Sequence, residues 1–360
     1  MTNDEIYSQF KKKYRKALIT GGAGFIGSHL CEELVSHGFP VVSIDDYSAG
    51  KKFNLKHLKK YANFTEAKCD ITDMKKLPRY FQGIDIVFHN AASKKSVCLI
   101  DPRRDLVVNG EGTFNLLELA VKNKTKKFVH ASTGSVYGEA KIFPTDEKHP
   151  LNPVSYYGVS KLAAEKYIQV FQKEHGLDTT ILRYFHVYGN RQESNEFGGV
   201  VAIFIRNMLE SKHPIIFGTG RQERSFTYVK DIVKANLLAA VKKEATGEIY
   251  NCASGIRVTI NDLCQTILKV FGRPDLKPIY KDWVPGDIKK FEIDNLKIIK
   301  LGMNFERDFY ARLTKVIEEV TPSQNAQKIS LRAEPSSGQS PVLRTASGRR
   351  PKTQKNFRRV

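Results

Sequence analysis

The stretch that decides the fold is KKYRKALITGGAGFIGSHLCEEL, residues 12–34. Within it, "KALIT" reads as a buried parallel strand, a short apolar run cut off at once by glycine. Gly21, Gly24 and Gly27 follow at a spacing of three, and "FIGSHLCEELVSHG" carries helical spacing. Ile26, Leu30 and Leu34 share one stripe, and Gly38 is the stop. An apolar run ending in two acids, "PVVSIDDYS", comes next. The three pieces make a βαβ unit with a bare turn between strand and helix. Glycine there lets the main chain approach a pyrophosphate, whose charge rests on the helix N-terminus. Asp45, eighteen residues after Gly27, ends the second strand. Its carboxylate can accept from both ribose hydroxyls and repels a 2′-phosphate, so NAD is expected over NADP.

Strand-like runs recur downstream as "FTEAKCDITD", "IDIVFHNAAS", "KFVHASTGSVYG" and "DTTILRYFHVYG". Helical segments lie between them, among them "GEGTFNLLELAVKN" and "GVSKLAAEKYIQVFQKEHG". Such alternation predicts an α/β, doubly wound parallel sheet that binds ligands beyond the carboxyl ends of its strands. Asp70 and Ile71 end one strand where an adenine can be met; Ala91 and Ala92 end another, and Thr133 a third.

In "YYGVSKLAAEK", Tyr157 and Lys161 stand four apart at the start of a helix and share a face. An ammonium beside a phenol stabilises the phenolate and draws its pKa down from about 10. Tyr157 is thereby a candidate base for an alcohol whose carbon loses hydride. Lys161 could also hold the nicotinamide ribose, and Thr133 could orient the reacting oxygen. Tyr156 points about 100° away round the helix and is read as packing.

Composition sets the outer bounds. The 360 residues are 41% hydrophobic, and the longer apolar runs, such as "GGVVAIFI", fall far short of a membrane helix. No secretory leader is read at the N-terminus, where Asp4 and Glu5 precede a Lys/Arg cluster. Five scattered cysteines without a C-x-x-C pair suit reduced thiols in a cytoplasmic protein and suggest no metal site. Net charge is +20, of which residues 321–360 carry +8, with nine Lys/Arg against Glu334 alone. That Ser-, Pro-, Gln- and Arg-rich stretch is expected to be a disordered basic tail. No nucleic-acid partner is expected beyond non-specific contact by the tail.

"TGGAGFIGSHL", "VNGEGTFNLLE", "ASTGSVYG", "YYGVSKLAAE", "LRYFHVYGNRQ", "RQERSFTYVKDIVKANLLA" and "GEIYNCASG" together resemble extended short-chain dehydrogenases/reductases, from about residue 16 to 320. The nearest branch is the NAD-dependent nucleotide-sugar epimerase/dehydratase family, UDP-glucose 4-epimerase-like. The resemblance implies a Rossmann-type NAD domain over 15–185, with about 225–253 returning to it, and a smaller C-terminal substrate-binding domain mainly over 186–320. It implies a tightly held NAD, with Gly21, Gly24, Phe25, Ile26 and Gly27 at the phosphate turn. Asp45 would take the adenosine ribose, and Asp70 with Ile71 the adenine; Ala91, Ala92, Tyr157 and Lys161 complete the cofactor set. Thr133, Tyr157 and Lys161 match the catalytic residues.

Within that family, dehydratases usually follow the catalytic threonine with Asp-Glu, and decarboxylases keep a nearby glutamate. Here Gly134 and Ser135 follow Thr133, which favours C4 epimerisation through a 4-keto sugar. A dehydratase, a decarboxylase, a 4-keto reductase and a non-catalytic NAD-binding regulator are the alternatives. The substrate half departs from the family pattern. His186 replaces an asparagine, Val284 replaces a phosphate-binding arginine, and Arg224 keeps its cation in Arg-Ser-Phe. Lys94 and Lys95, in a loop one residue longer than usual, are read with Thr133, His186 and Arg224 as contacts for a nucleotide sugar. A homodimer through the two helices after Asn109 and Tyr157 is implied as well.

Overall fold

The structure, a computed structural model, describes residues 1–93, 100–195, 198–283 and 292–321. Lys94, Lys95, Val284 and the basic tail therefore lie outside the described residues. Its centre is one sheet of β1 (Ala17–Thr20), β2 (Val41–Asp45), β3 (Phe64–Lys68), β4 (Ile86–His89), β5 (Lys127–Thr133), β6 (Thr179–Tyr184) and β7 (Glu248–Cys252). The strands pair in the order β3-β2-β1-β4-β5-β6-β7, every pair parallel. Because β1 pairs with both β2 and β4, and the chain crosses from β3 back past β1 to β4, the winding reverses there and a crevice opens above its carboxyl end. β1, β2 and β4 are buried at every position, as strands covered on both faces must be.

Two helical layers supply that cover. On one face lie α1 (Asn3–Lys13), α2 (Phe25–Ser36) and α7 (Val229–Val241), burying Phe10, Leu30, Leu34 and Leu238 against Ile19, Phe88 and Leu182. Helix α1 is built from a capping box: Thr2 accepts from Glu5 N–H, and the Glu5 carboxylate accepts from Thr2 N–H. Its Ile6 and Phe10, one turn apart, are both 1% exposed, which stabilises the docked helix by about 1.5–3 kcal/mol per side chain. On the other face α4 (Gly112–Lys122) and α5 (Tyr156–His175) bury Leu116, Leu117, Ile168 and Phe171. The short helix α3 (Pro102–Leu106) leads into α4 through a wider π turn, Val107–Glu111.

A smaller lobe is built from α6 (Val200–Leu209), α8 (Ile260–Phe271), α10 (Phe309–Val320) and three two-stranded pieces. Its own core joins Tyr188, Phe204, Phe226, Leu263, Phe309 and Leu313. The chain crosses between lobes more than once, since α7 and β7 sit on the main sheet while α8 belongs to the smaller core. Helix α9 (Leu296–Lys300) then returns Ile298 to the first core.

Candidate active site

The reversal crevice is a cleft of about 390 Å³, and the β1–α2 turn forms its floor. Gly21 has φ +65°, and a Cβ there would lie 2.7 Å from Ala91 N. A Cβ on Gly27 would meet Gly21 O at 2.2 Å, so only glycine lets α2 start this close to β1. Gly24 caps α2 with no side chain over the helix end. The turn thus offers open backbone N–H groups and the positive end of a twelve-residue helix, a cradle that suits a pyrophosphate.

Polar bonds between strand ends hold the cradle to its neighbour. Thr20 Oγ1 accepts from Ala91 N–H at 3.2 Å and is 2.8 Å from His89 Nδ1. On the far side of that ring, Nε2 is 2.9 Å from Thr113 Oγ1, whose hydroxyl donates to Asn109 O at 2.6 Å. The Thr113 hydroxyl has then spent its proton, so His89 carries hydrogen on Nε2 and accepts from Thr20 through Nδ1. Burial pushes His89 well below the usual histidine range, which keeps that neutral form.

Asp45 ends β2 as the spacing predicts and lines the cleft. Its Oδ2 accepts from Ala23 N–H at 3.0 Å and its Oδ1 from Tyr47 N–H at 2.8 Å. Burial raises its pKa, against those two hydrogen bonds. A carboxylate oxygen has more than one lone pair, so acceptor capacity remains for a ribose. Asp70 and Ile71 lie just beyond β3 and also line the cleft, with Phe25, Ile26, Ala91 and Ala92. The Asp70 carboxyl is held below the usual range: burial opposes ionisation, but Thr72 and Arg104 more than offset it.

Tyr157 lines the same cleft, as do Ala131, Ser132 and Tyr184. Ser155 caps α5 by accepting from Gly158 N–H at 3.1 Å, and this places Tyr157 in the first turn. Lys161, one turn on, is 1% exposed, and its Nζ is 3.1 Å from His130 Nε2. Burial pushes the amine down to about 7, with Glu165 and Asp105 pulling it back up. Thr133 ends β5 and is half-buried; its Oγ1 accepts from Ser135 N–H at 3.1 Å. Behind it, the Ser132 hydroxyl donates to Glu165 at 2.5 Å, and Glu165 forms a fully buried pair with Arg183 at 2.6 Å.

Of the expected substrate contacts, His186 and Arg224 are not among the residues that line this cleft. His186 follows β6 with φ +38° and sits edge-on to Phe226 at 6.0 Å. Arg224 is 5% exposed and donates to Glu223 O at 3.0 Å. Tyr156, read as packing, is instead exposed. Sequence reasoning also passed over Asp46, Arg104 and Ser132 in the cleft, and His130 behind it. Asp46 alone carried a signal, as the second acid after β2.

A glycine cradle, an acid at the end of β2 and a Tyr/Lys helix on one reversal crevice define a dinucleotide-dependent enzyme of the Rossmann class. The family model described as "NAD dependent epimerase/dehydratase family" matches residues 17–253, and the chain belongs to that family. A putative UDP-glucose 4-epimerase of Methanocaldococcus jannaschii is 37% identical over 305 residues, covering 83% of this chain and 96% of that protein. A UDP-N-acetyl-alpha-D-glucosaminuronate decarboxylase of Bacillus cytotoxicus is 36% identical over 265 residues, 70% of this chain and 79% of its own. Among solved structures, the UDP-glucose 4-epimerase of Thermotoga maritima with UDP-glucose superposes with a TM-score of 0.80 at 38% identity, covering 84% and 97% of the two chains. The family is NAD-dependent, and the glycine cradle and Asp45 fit that cofactor.

Proposed function

We propose that the protein is a nucleotide-sugar 4-epimerase working through a transient 4-keto sugar. The observation that carries this reading is Tyr157 standing in the same cleft as the glycine turn, with Gly134 and Ser135 after Thr133. NAD, when bound, supplies the hydride acceptor and donor. Tyr157 takes the proton of the sugar 4-hydroxyl and returns it to the same oxygen. Lys161 favours the phenolate by its charge, and Thr133 donates to the reacting oxygen and fixes its place. Epimerisation needs no further acid for elimination, which agrees with the small residues after Thr133. His186 and Arg224, on the smaller lobe's side, are assigned to the nucleotide sugar with Lys94 and Lys95; residues 186–320 then act mainly as the substrate-binding domain.

A homodimer through α5 accords with its exposed Tyr156, Val159, Tyr167 and Val170, which share one helical face. A cytoplasmic setting accords with Cys31, Cys69, Cys252 and Cys264, all buried and unpaired. Among the described residues no helix is long and apolar enough to cross a membrane.

The purified chain, given UDP-, GDP- and dTDP-sugars without added reductant, is expected to yield a product of unchanged mass, inverted at C4. Loss of water or carbon dioxide, or gain of two hydrogens, would instead assign a dehydratase, a decarboxylase or a reductase. No conversion of any sugar would leave an NAD-binding regulator.

A further inference from the structure

Arg104 projects from α3 to the ends of β2 and β3 and lines the cleft. Its Nη2 is 2.9 Å from Asp70 Oδ2 and 3.2 Å from Asp46 Oδ2. All three side chains line the cleft, and all three are about one-third exposed, so the bridge lies at its solvent edge. Each carboxylate is also tied from behind. Asp70 Oδ1 accepts from Thr72 N–H and its hydroxyl, at 2.9 and 2.8 Å. Asp46 Oδ1 does the same for Ser48, at 2.9 and 2.7 Å. The arginine thus meets two anchored acids, and it meets them at the adenosine end, where Asp45 and Ile71 also stand.

We propose that Arg104, with Asp46 and Asp70, forms a crossbar over the adenosine end of the cleft and retains the bound dinucleotide. Helix α3 joins the two strand ends through this guanidinium, so opening that end requires breaking both charge-assisted contacts together. A guanidinium suits this task better than an ammonium, because its planar fork can satisfy two acids and lie flat against an aromatic base. The apolar side chains of Ile71 and Val108 line the same cleft and provide walls for a base. An enzyme that reduces and reoxidises its cofactor within each turnover gains from slow release, since nothing needs to exchange. The crossbar supplies it. The inference rests on the NAD assignment and concerns cofactor retention, separately from the sugar chemistry.

The full-length protein is loaded with NADH and chased with excess NAD+, and release is followed by the loss of bound-NADH fluorescence. Arg104→Ala is expected to release NADH about tenfold faster, because affinity changes of this kind fall mainly on the off-rate. Its affinity for ADP-ribose should fall by a similar factor, while nicotinamide mononucleotide, which lacks the adenosine half, binds as before. Added salt should speed release from the parent and leave Arg104→Ala nearly unaffected. Asp46→Asn should also speed release, and combined with Arg104→Ala it should add little, as expected for one shared contact. Parent-like release from Arg104→Ala would overturn the proposal. Equal weakening of the mononucleotide would overturn it too, by revealing a general loosening of the cleft. If the parent itself binds neither NADH nor ADP-ribose, the NAD assignment falls as well, an outcome distinct from either of those.

Discussion

Lys161 Nζ lies 3.1 Å from His130 Nε2, with both side chains sealed from solvent. Burial holds His130 well below the usual histidine range, so the imidazole is neutral and accepts from the ammonium. Burial also pushes Lys161 down to about 7, although Glu165 on its own helix and Asp105 on α3 favour the charge. In the unfolded chain the amine titrates near about 10.4. Between those two values the unfolded state holds the extra proton, so this group's contribution to stability rises with pH. Below about pH 7 the burial penalty is present in full. Lys161→Met removes the penalty, and its melting temperature should exceed the parent's most at about pH 6–7. The gap should close towards about pH 10, by thermal denaturation across pH. A gap that does not change with pH would mean that no buried ammonium is being titrated.

The role proposed for Tyr157 depends on a single oxygen. Tyr157→Phe keeps the ring that helps line the cleft and removes only the hydroxyl. Turnover should fall by roughly 10²–10⁴-fold, the usual worth of a positioned proton-transfer group. NADH affinity, measured by fluorescence titration, should stay within about twofold, because the phosphate cradle is untouched. A variant with near-parent turnover would assign the proton transfer elsewhere.

Glu165 and Arg183 are each 1% exposed at the side chain and pair through two contacts, at 2.6 and 2.9 Å. The pair also holds the Ser132 hydroxyl at the cleft wall. Glu165→Gln leaves the Arg183 charge buried without its counterion, which typically costs about 3–5 kcal/mol. Replacing both residues with methionine should cost less than that single change, because Arg183 is then no longer an unpaired buried charge, while the loss of Glu165 near Lys161 is common to both variants. Urea denaturation of the parent and the two variants checks the order. A double variant less stable than Glu165→Gln would show that the pair contributes more than its mutual neutralisation.

The main sheet was legible because its signals are local. "KALIT", the glycine turn and Asp45 lie within 30 residues, and each piece has one physical reading. Tyr157 and Lys161 were legible for the same reason, being one helical turn apart. Arg104 was not, since its meaning depends on Asp46 and Asp70, which are 58 and 34 residues away in the chain. His130 was hidden by a strand pattern in which it counts as one more buried position. Tyr156 was misread because helical phase tells which residues share a face, but it does not tell whether anything covers that face.

Helix α1 buries only Ile6 and Phe10, and in the sequence these two stand among charged residues that end in Lys11, Lys12 and Lys13. Thr2 and Glu5 are a capping box, and the lysines complement the negative end of the helix. Phe10 meets Phe39 edge-on at 4.7 Å and stacks on Phe88 at 6.1 Å, one residue before His89. Phe10→Ala should therefore cost about 3–5 kcal/mol, the usual loss for a buried aromatic. Lys11→Ala, on the exposed face, should change stability by less than about 0.5 kcal/mol. Near 25 °C, NADH affinity of Phe10→Ala should remain close to the parent's, since the lost volume lies beneath β4 and outside the cleft. Urea denaturation and fluorescence titration of the two variants separate these effects. Equal stability losses would mean that α1 acts through its charge and not through its buried stripe.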